Sequence, residues 1–174
     1  MNVRAPAFVF ACSLWLGLLA GSVQAAEWVS GRVVSVTDGD TAVIETTRQK
    51  ILRVRFYGVD APEAANEHWP AQPYAAAATT FMRDLIGGKP VRVRLNGERT
   101  HKREVGEVFI GERSASQALV GAGLAWWNRK FAPDDRELDR LESKARRQGI
   151  GLWQDRRPVP PWRHRGRYRS HARH

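Results

Sequence analysis

In the run "QKILRVRFYGV" (residues 49–59), Leu52, Val54 and Phe56 alternate with Arg53, Arg55 and Tyr57. A period of two predicts a half-buried strand with arginines on its open face. Upstream, "WVSGRVVSV" and "TAVIETT" are β-rich runs joined at Asp38-Gly39, a pair that favours a tight hairpin turn with positive φ. Downstream, "KPVRVRLNGE" and "REVGEVFIG" predict two more strands around a short turn. Val105 and Val108 are three apart and cannot both face inward on a regular strand, which points to a β-bulge just beyond Arg103.

Helical signals fall in three other places. "QPYAAAATTFMRDLIGG" is expected to start at Pro73 and to stop at Gly87-Gly88. "SASQALVGAGLA" predicts a small-residue helix entered at Ser114 or Ser116. "PDDRELDRLESKARRQGIG" has Asp134 and Glu137 at capping-box spacing, Leu138, Leu141 and Ala145 on one face, and Gly149 to end it. The order is βββαββαα. Five strands with so few helices cannot bury both faces of an open sheet, so the expected α+β architecture is a five-stranded OB-type barrel with three helices. Nothing repeats at a fixed period.

The two ends of the chain do not follow these patterns. Residues 1–25 carry Arg4, an apolar run over 5–20, and Val23 and Ala25 before a cleavage-like site, the layout of a secretory signal peptide. Cleavage is expected near Ala25, giving a secreted or periplasmic protein with no membrane span in its mature form; an uncleaved anchor is the competing reading, but the apolar run is short for one. The single cysteine, Cys12, lies in this leader, so the mature chain needs no disulfide and has no thiolate for catalysis or metal binding.

Removing Arg4 leaves 27 basic residues against 18 acidic ones, a net +9. Residues 156–174 hold seven arginines, three histidines and no acid, so most of that charge sits in the tail. Its composition predicts a disordered basic arm following a folded domain over 26–155. Because arginine supplies all the charge, and Trp162 and Tyr168 can stack on bases, the arm is read as a polyanion contact in preference to a solubilising tail.

Within the domain the acids stand out. "DGDT" at 38–41 is followed by "VDAPE" at 59–63, placing Asp38, Asp40, Asp60 and Glu63 near strand ends with no histidine or cysteine beside them. An oxygen-only set suits Ca²⁺ or Mg²⁺ better than zinc. Arg55, five residues before Asp60, adds a positive group, and a cation beside an arginine is what a phosphodiester transition state needs. Each acid taken singly is more simply a turn former; the constellation carries the reading.

"TDGDT", "RFYGVDAPE", "QPY" opening a helix, "LVGAGLAWW" and "ARRQGIGLW" occur in the order and spacing of the staphylococcal nuclease (thermonuclease) family, which the chain resembles over about 29–154. The resemblance implies an OB-fold and a monomeric Ca²⁺-dependent endonuclease that hydrolyses DNA and RNA to 3′-phosphate products, without a stable protein partner. It implies Asp40 and Asp60 as metal ligands with the backbone carbonyl of Ala61, Asp38 and Thr41 just behind them, Glu63 positioning or activating water, and Arg55 clamping the scissile phosphate. A second clamp is expected in "GERTHKREVGEV", where the turn is two residues shorter than the family's; Arg103 is the best match and Lys102 its rival. Phe131 falls on one of the two positions of the base-binding platform and Arg129 replaces the other. Trp126 and Trp127 are read as packed against the last helix, with base stacking as the alternative.

Two other classes stay open from the residues alone. One is a secreted OB-fold that binds nucleic acid without cutting it; the other is an envelope or polysaccharide-binding module with a purely structural Ca²⁺.

Overall fold

The computed structural model describes residues 27–171, so the expected leader and Cys12 lie outside the described part. Five strands make the body: β1 (Glu27–Asp38), β2 (Thr41–Thr46), β3 (Ile51–Phe56), β5 (Pro90–Thr100) and β6 (Arg103–Ile110). They run in the order β3-β2-β1-β5-β6, and a parallel pairing of β3 with β6 (Arg55 opposite Val105, Phe56 opposite Gly106) closes the sheet into a mixed barrel. Closure removes the exposed edges that a five-stranded sheet would otherwise leave. The alternation in β3 sets its inside: Val54 and Phe56 are buried with Val33, Ala42, Ile44, Val93 and Val108.

Four helices surround the barrel, α1 (Ala75–Ile86), α2 (Ala115–Gly121), α3 (Arg136–Gln148) and α4 (Pro161–His171). Ala78, Met82 and Ile86 of α1, Leu119 and Val120 of α2, and Leu138 of α3 complete the core. Short strands β4 (Val59–Asp60) and β8 (Trp126–Trp127) pair with each other, and β7 (Arg113–Ser114) extends β6. Gly123 and Gly151 bring "GAGLA" and "QGIGLW" together: both have positive φ, and a Cβ on Gly151 would stand 2.2 Å from the carbonyl oxygen of Gly123. Among the described residues, no helix is long and apolar enough to cross a membrane.

Several local expectations shift. α1 begins at Ala75, after Tyr74 in a left-handed conformation, two residues later than Pro73. α2 is entered at Ser114, whose hydroxyl accepts from the amide of Gln117. The N-cap of α3 is Asp135, not Asp134: its carboxylate accepts from the Leu138 amide at 3.0 Å. Gly149, with φ of 60°, ends that helix as expected.

The barrel irregularity lies on β5 between Leu95 and Arg99, opposite 104–106, and not on β6 itself; the extra residues sit on the partner strand. Gly39 is not among the described residues with positive φ. What the hairpin requires there is room, since a Cβ would stand 2.7 Å from that of Ala61 and 2.8 Å from that of Ala78. The largest difference is in the basic tail. Its residues 161–171, expected to be disordered, form helix α4 and pack against the domain.

Candidate active site

The tight β1–β2 hairpin leaves Asp40 as the last turn residue, opposite the end of β3. Its carbonyl accepts the Phe56 amide at 2.8 Å, and its own amide donates to Asp38 Oδ1 at 3.0 Å. The side chain points inward: Asp40 Oδ2 accepts from the Ala61 amide at 2.7 Å and Oδ1 accepts from the Thr41 hydroxyl at 3.3 Å. Asp40 is buried. Burial, helped by the neighbouring charge of Asp38 and opposed by Arg55, pushes its carboxyl up to about 6.

The second acidic motif is held by a different pair of strands. Asp60 lies in β4 opposite Trp126 of β8, and is 1% exposed. Arg55, at the end of β3, joins the two motifs: Nη2 donates to Asp60 Oδ1 at 2.7 Å, and Nη1 makes direct ion contact with Asp40 Oδ2 without hydrogen-bond alignment. Burial alone would lower the Arg55 pKa; Asp40 first and then Asp60 more than offset it and raise it. Arg55 is therefore enclosed by acids, not carried on an open face. Glu63 is fixed through its backbone, whose amide donates to Gln72 Oε1 at 3.0 Å and whose carbonyl accepts the Gln72 amide at 2.9 Å.

On the far side of Thr41 stands Arg103. The turn between β5 and β6 is His101-Lys102 with φ of 47° and 63°, two left-handed residues in succession, as in the hairpin turns that match strand twist. This turn aims the Arg103 Nη1 at Thr41 Oγ1, 3.3 Å away, and leaves Lys102 exposed at the tip. Burial, and then the positive charge of Arg55, lower the Arg103 pKa, so two guanidinium groups face one space.

Phe131 is 57% exposed and borders a depression with Tyr57, Arg94, Leu95 and Glu107. Arg129 does not share that surface. Its guanidinium lies 4.1 Å from the Trp127 ring and pairs with Glu142 at 3.1 Å and Asp139 at 3.2 Å, so it braces α3. Trp126 and Trp127 are buried, as packing residues. Trp127 donates from Nε1 to Ala132 O at 2.8 Å and from its amide to Glu142 Oε1 at 3.1 Å. Arg146 also pairs with Glu142, at 3.4 Å. Glu142→Ala leaves the buried Trp127 amide unpaired, while the half-exposed Arg129 and Arg146 can return to water. The expected loss is about 1–3 kcal/mol, read as a lower denaturant midpoint; an unchanged midpoint would show that the network contributes nothing.

Two residues were not foreseen. Gln72, buried, links the Glu63 backbone to the tail by donating Nε2 to Val159 O at 2.8 Å. Arg165 of α4 donates to both oxygens of Asp60, Nη1 to Oδ1 at 3.2 Å and Nη2 to Oδ2 at 2.9 Å, and its Nη1 also meets Glu63 Oε1. No local signal separates Arg165 from the other tail arginines; only docking of the helix does.

Among the described residues, no three His, Cys, Asp or Glu side chains converge closely enough to hold a metal ion as they stand. The donor set still suits a hard cation: Asp40, Asp60 and Glu63 offer only carboxylate oxygens, and two guanidinium groups already supply the positive charge between them.

A sequence model of the family described as "Staphylococcal nuclease homologue" matches residues 53–155. A protein of Escherichia coli O157:H7 that bears the name "Uncharacterized endonuclease" is 38% identical over 140 residues, covering 79% of this chain and 86% of its own. "Micrococcal nuclease" of Shigella flexneri is 32% identical over 158 residues, covering 85% and 87% respectively. A second "Uncharacterized endonuclease", from Haemophilus influenzae, is 31% identical over 134 residues, covering 76% and 71%. The family match spans more than half of the chain and includes Arg55, Asp60, Glu63 and Arg103, and with relatives above 30% identity over most of its length this chain belongs to the staphylococcal nuclease family and is a nuclease of that family.

Proposed function

We propose that the protein hydrolyses phosphodiester bonds of DNA and RNA in a Ca²⁺-dependent reaction that leaves 3′-phosphate ends. The observation that supports this best is the junction made by Arg55, which ties Asp40 and Asp60 into one acidic centre directly across Thr41 from Arg103. Asp40 and Asp60, with the Ala61 carbonyl, would hold the cation, and Asp38 and Thr41 fix the Asp40 side. A bound divalent cation would supply Lewis-acid stabilisation of the charge that develops on phosphorus oxygens.

The protein's own groups have separate tasks. Glu63, at the accessible edge of the centre, orients a water and takes its proton as the water oxygen bonds to phosphorus. The bond to the 5′ oxygen breaks, and that oxygen leaves with a proton from solvent. Arg55 and Arg103 approach the phosphate from two sides; the paired donors of a guanidinium fit two of its oxygens. Phe131 offers an exposed ring against which a base can stack. The apolar leader over 1–25 supports export.

The direct test mixes purified protein with single-stranded DNA or RNA and Ca²⁺, with and without chelator, and maps the product ends. Chelator-sensitive cutting to 3′-phosphates is expected. Salt-sensitive retention without cutting would instead identify a nucleic-acid binder.

The remaining tail arginines give a separate expectation. Arg156, Arg157, Arg163 and Arg169 are exposed. Each phosphate neutralised on a single strand adds about 0.7 to the slope of log affinity against log salt, so replacing all four by glutamine lowers that slope by about 3 if all are engaged. An unaltered slope would mean that this face does not touch nucleic acid.

A further inference from the structure

Helix α4 is fastened to the domain by contacts that do not involve the acids. Pro161 is buried, and the Trp162 ring meets Trp126 edge-on at 6.4 Å. His164 is 9% exposed, with Nε2 3.0 Å from Pro70 O. Just before the helix, Val159 O accepts from Gln72. Together these attachments carry Arg165 to the acidic centre, 105 residues along the chain from Asp60.

At the centre both oxygens of Asp60 and one of Glu63 are engaged by guanidinium groups. Asp60 Oδ1 accepts from Arg55 and from Arg165, Oδ2 accepts from Arg165, and Glu63 Oε1 meets Arg165 again. With Asp60 1% exposed, a divalent cation cannot add to these oxygens until a guanidinium leaves. Arg55 stands on a barrel strand, bound to two carboxylates, with its side chain 15% exposed. Arg165 stands on the terminal helix, with its side chain 24% exposed. The more accessible group, on the element joined to the domain by fewer contacts, is the one that gives way. Arg165 donates to both acids, and a guanidinium keeps its full positive charge in a protein.

We propose that Arg165 is a tethered stand-in for the divalent cation: it neutralises Asp60 and Glu63 in the metal-free protein and must be displaced before metal binds, so that α4 sets the metal concentration at which the site fills. This rests on the cation site proposed above. The logic is competition at high effective concentration, because the helix stays docked while the side chain alone departs. If the guanidinium holds the acids more than about nine-tenths of the time, the apparent metal affinity is reduced about tenfold or more.

The test titrates Ca²⁺ alone, without nucleic acid, into the full chain by calorimetry. Arg165→Gln is expected to bind Ca²⁺ at least about tenfold more tightly than the unsubstituted protein, and Arg165→Lys, which keeps the charge but loses the two-pronged contact, should fall between them. Arg163→Gln removes one exposed charge from the same helix and controls for net charge; its Ca²⁺ affinity should match that of the unsubstituted protein. Binding in Arg165→Gln where the unsubstituted chain shows none also supports the proposal. Equal or weaker binding in Arg165→Gln beside a binding parent overturns the competition while leaving the cation site intact. Absence of binding in every variant overturns both.

Discussion

Asp40→Asn is expected to fold and to lose cleavage in Ca²⁺ by at least about 10³-fold, the several kcal/mol that a correctly held cation supplies to phosphoryl transfer. The amide keeps the shape and an oxygen that can still accept from the Ala61 amide, while losing the charge that a hard cation requires. Asp40 is buried, so retention of the fold needs its own argument. In the metal-free chain, burial raises its carboxyl from 3.8 to about 6, despite Arg55. A folded pKa above the unfolded one means that the folded chain binds the proton more tightly. That contribution to stability is complete below about 4 and is lost as pH rises through about 6. Asparagine does not titrate. The metal-free Asn variant should therefore gain on the unsubstituted protein between pH 4 and 7, by roughly 2–3 kcal/mol at the upper end. Unchanged cleavage would remove Asp40 from the cation site. A pH-independent stability difference would show that its charge is not buried at a cost.

Arg103→Ala should lower the cleavage rate about 10²- to 10³-fold, as expected for losing one transition-state donor. The turn two residues shorter than the family's does not prevent this role, because side chains alternate with period two and removing two residues preserves the facing of those that follow. The left-handed pair His101-Lys102 makes the short connection, and Arg103 Nη1 reaches Thr41 beside Asp40. Arg103 and Arg55 repel each other across this space, as the lowered Arg103 pKa reflects after burial. An anion between them relieves that repulsion, and the relief grows as negative charge accumulates on the phosphate in the transition state. Lys102→Ala, at the exposed tip, should weaken substrate binding and spare the saturated rate. The reverse pattern would give the role to Lys102, and two near-neutral variants would leave Arg55 as the sole clamp.

How much of this was readable along the chain depends on the range of the interaction concerned. Alternation in "KILRVRF" set the inside of β3, and glycines marked where α1 and α3 stop and where the β1–β2 hairpin turns, because period and turn chemistry are properties of neighbouring residues. The pairing of "DGDT" with "VDAPE" identified the acids by type and spacing. Details of one or two residues were beyond local reading. Asp134 and Asp135 carry the same capping group, and only the path of the chain into α3 selects Asp135. Similarly, the valine spacing in β6 revealed an irregularity without saying which strand absorbs it, and β5 does.

The residue pattern alone pointed to a barrel of five strands and an oxygen-only acidic centre with Arg55, and the family resemblance added Arg103 as a second arginine candidate. The tertiary structure alone decided which contacts close over that centre. Parallel pairing of β3 with β6 brings Arg55 and Arg103 to one space, and the approach of Ala61 and Ala78 is what makes residue 39 a glycine. The sharpest case is α4. A run of arginines with few apolar residues cannot form a core of its own and so resembles a disordered arm; Pro161, Trp162 and His164 find their partners on surfaces built elsewhere in the chain, and the acids that receive Arg165 lie more than 100 residues away. A helix stabilised by docking leaves no periodic trace in its own sequence, because the apolar surface that orders it belongs to another segment.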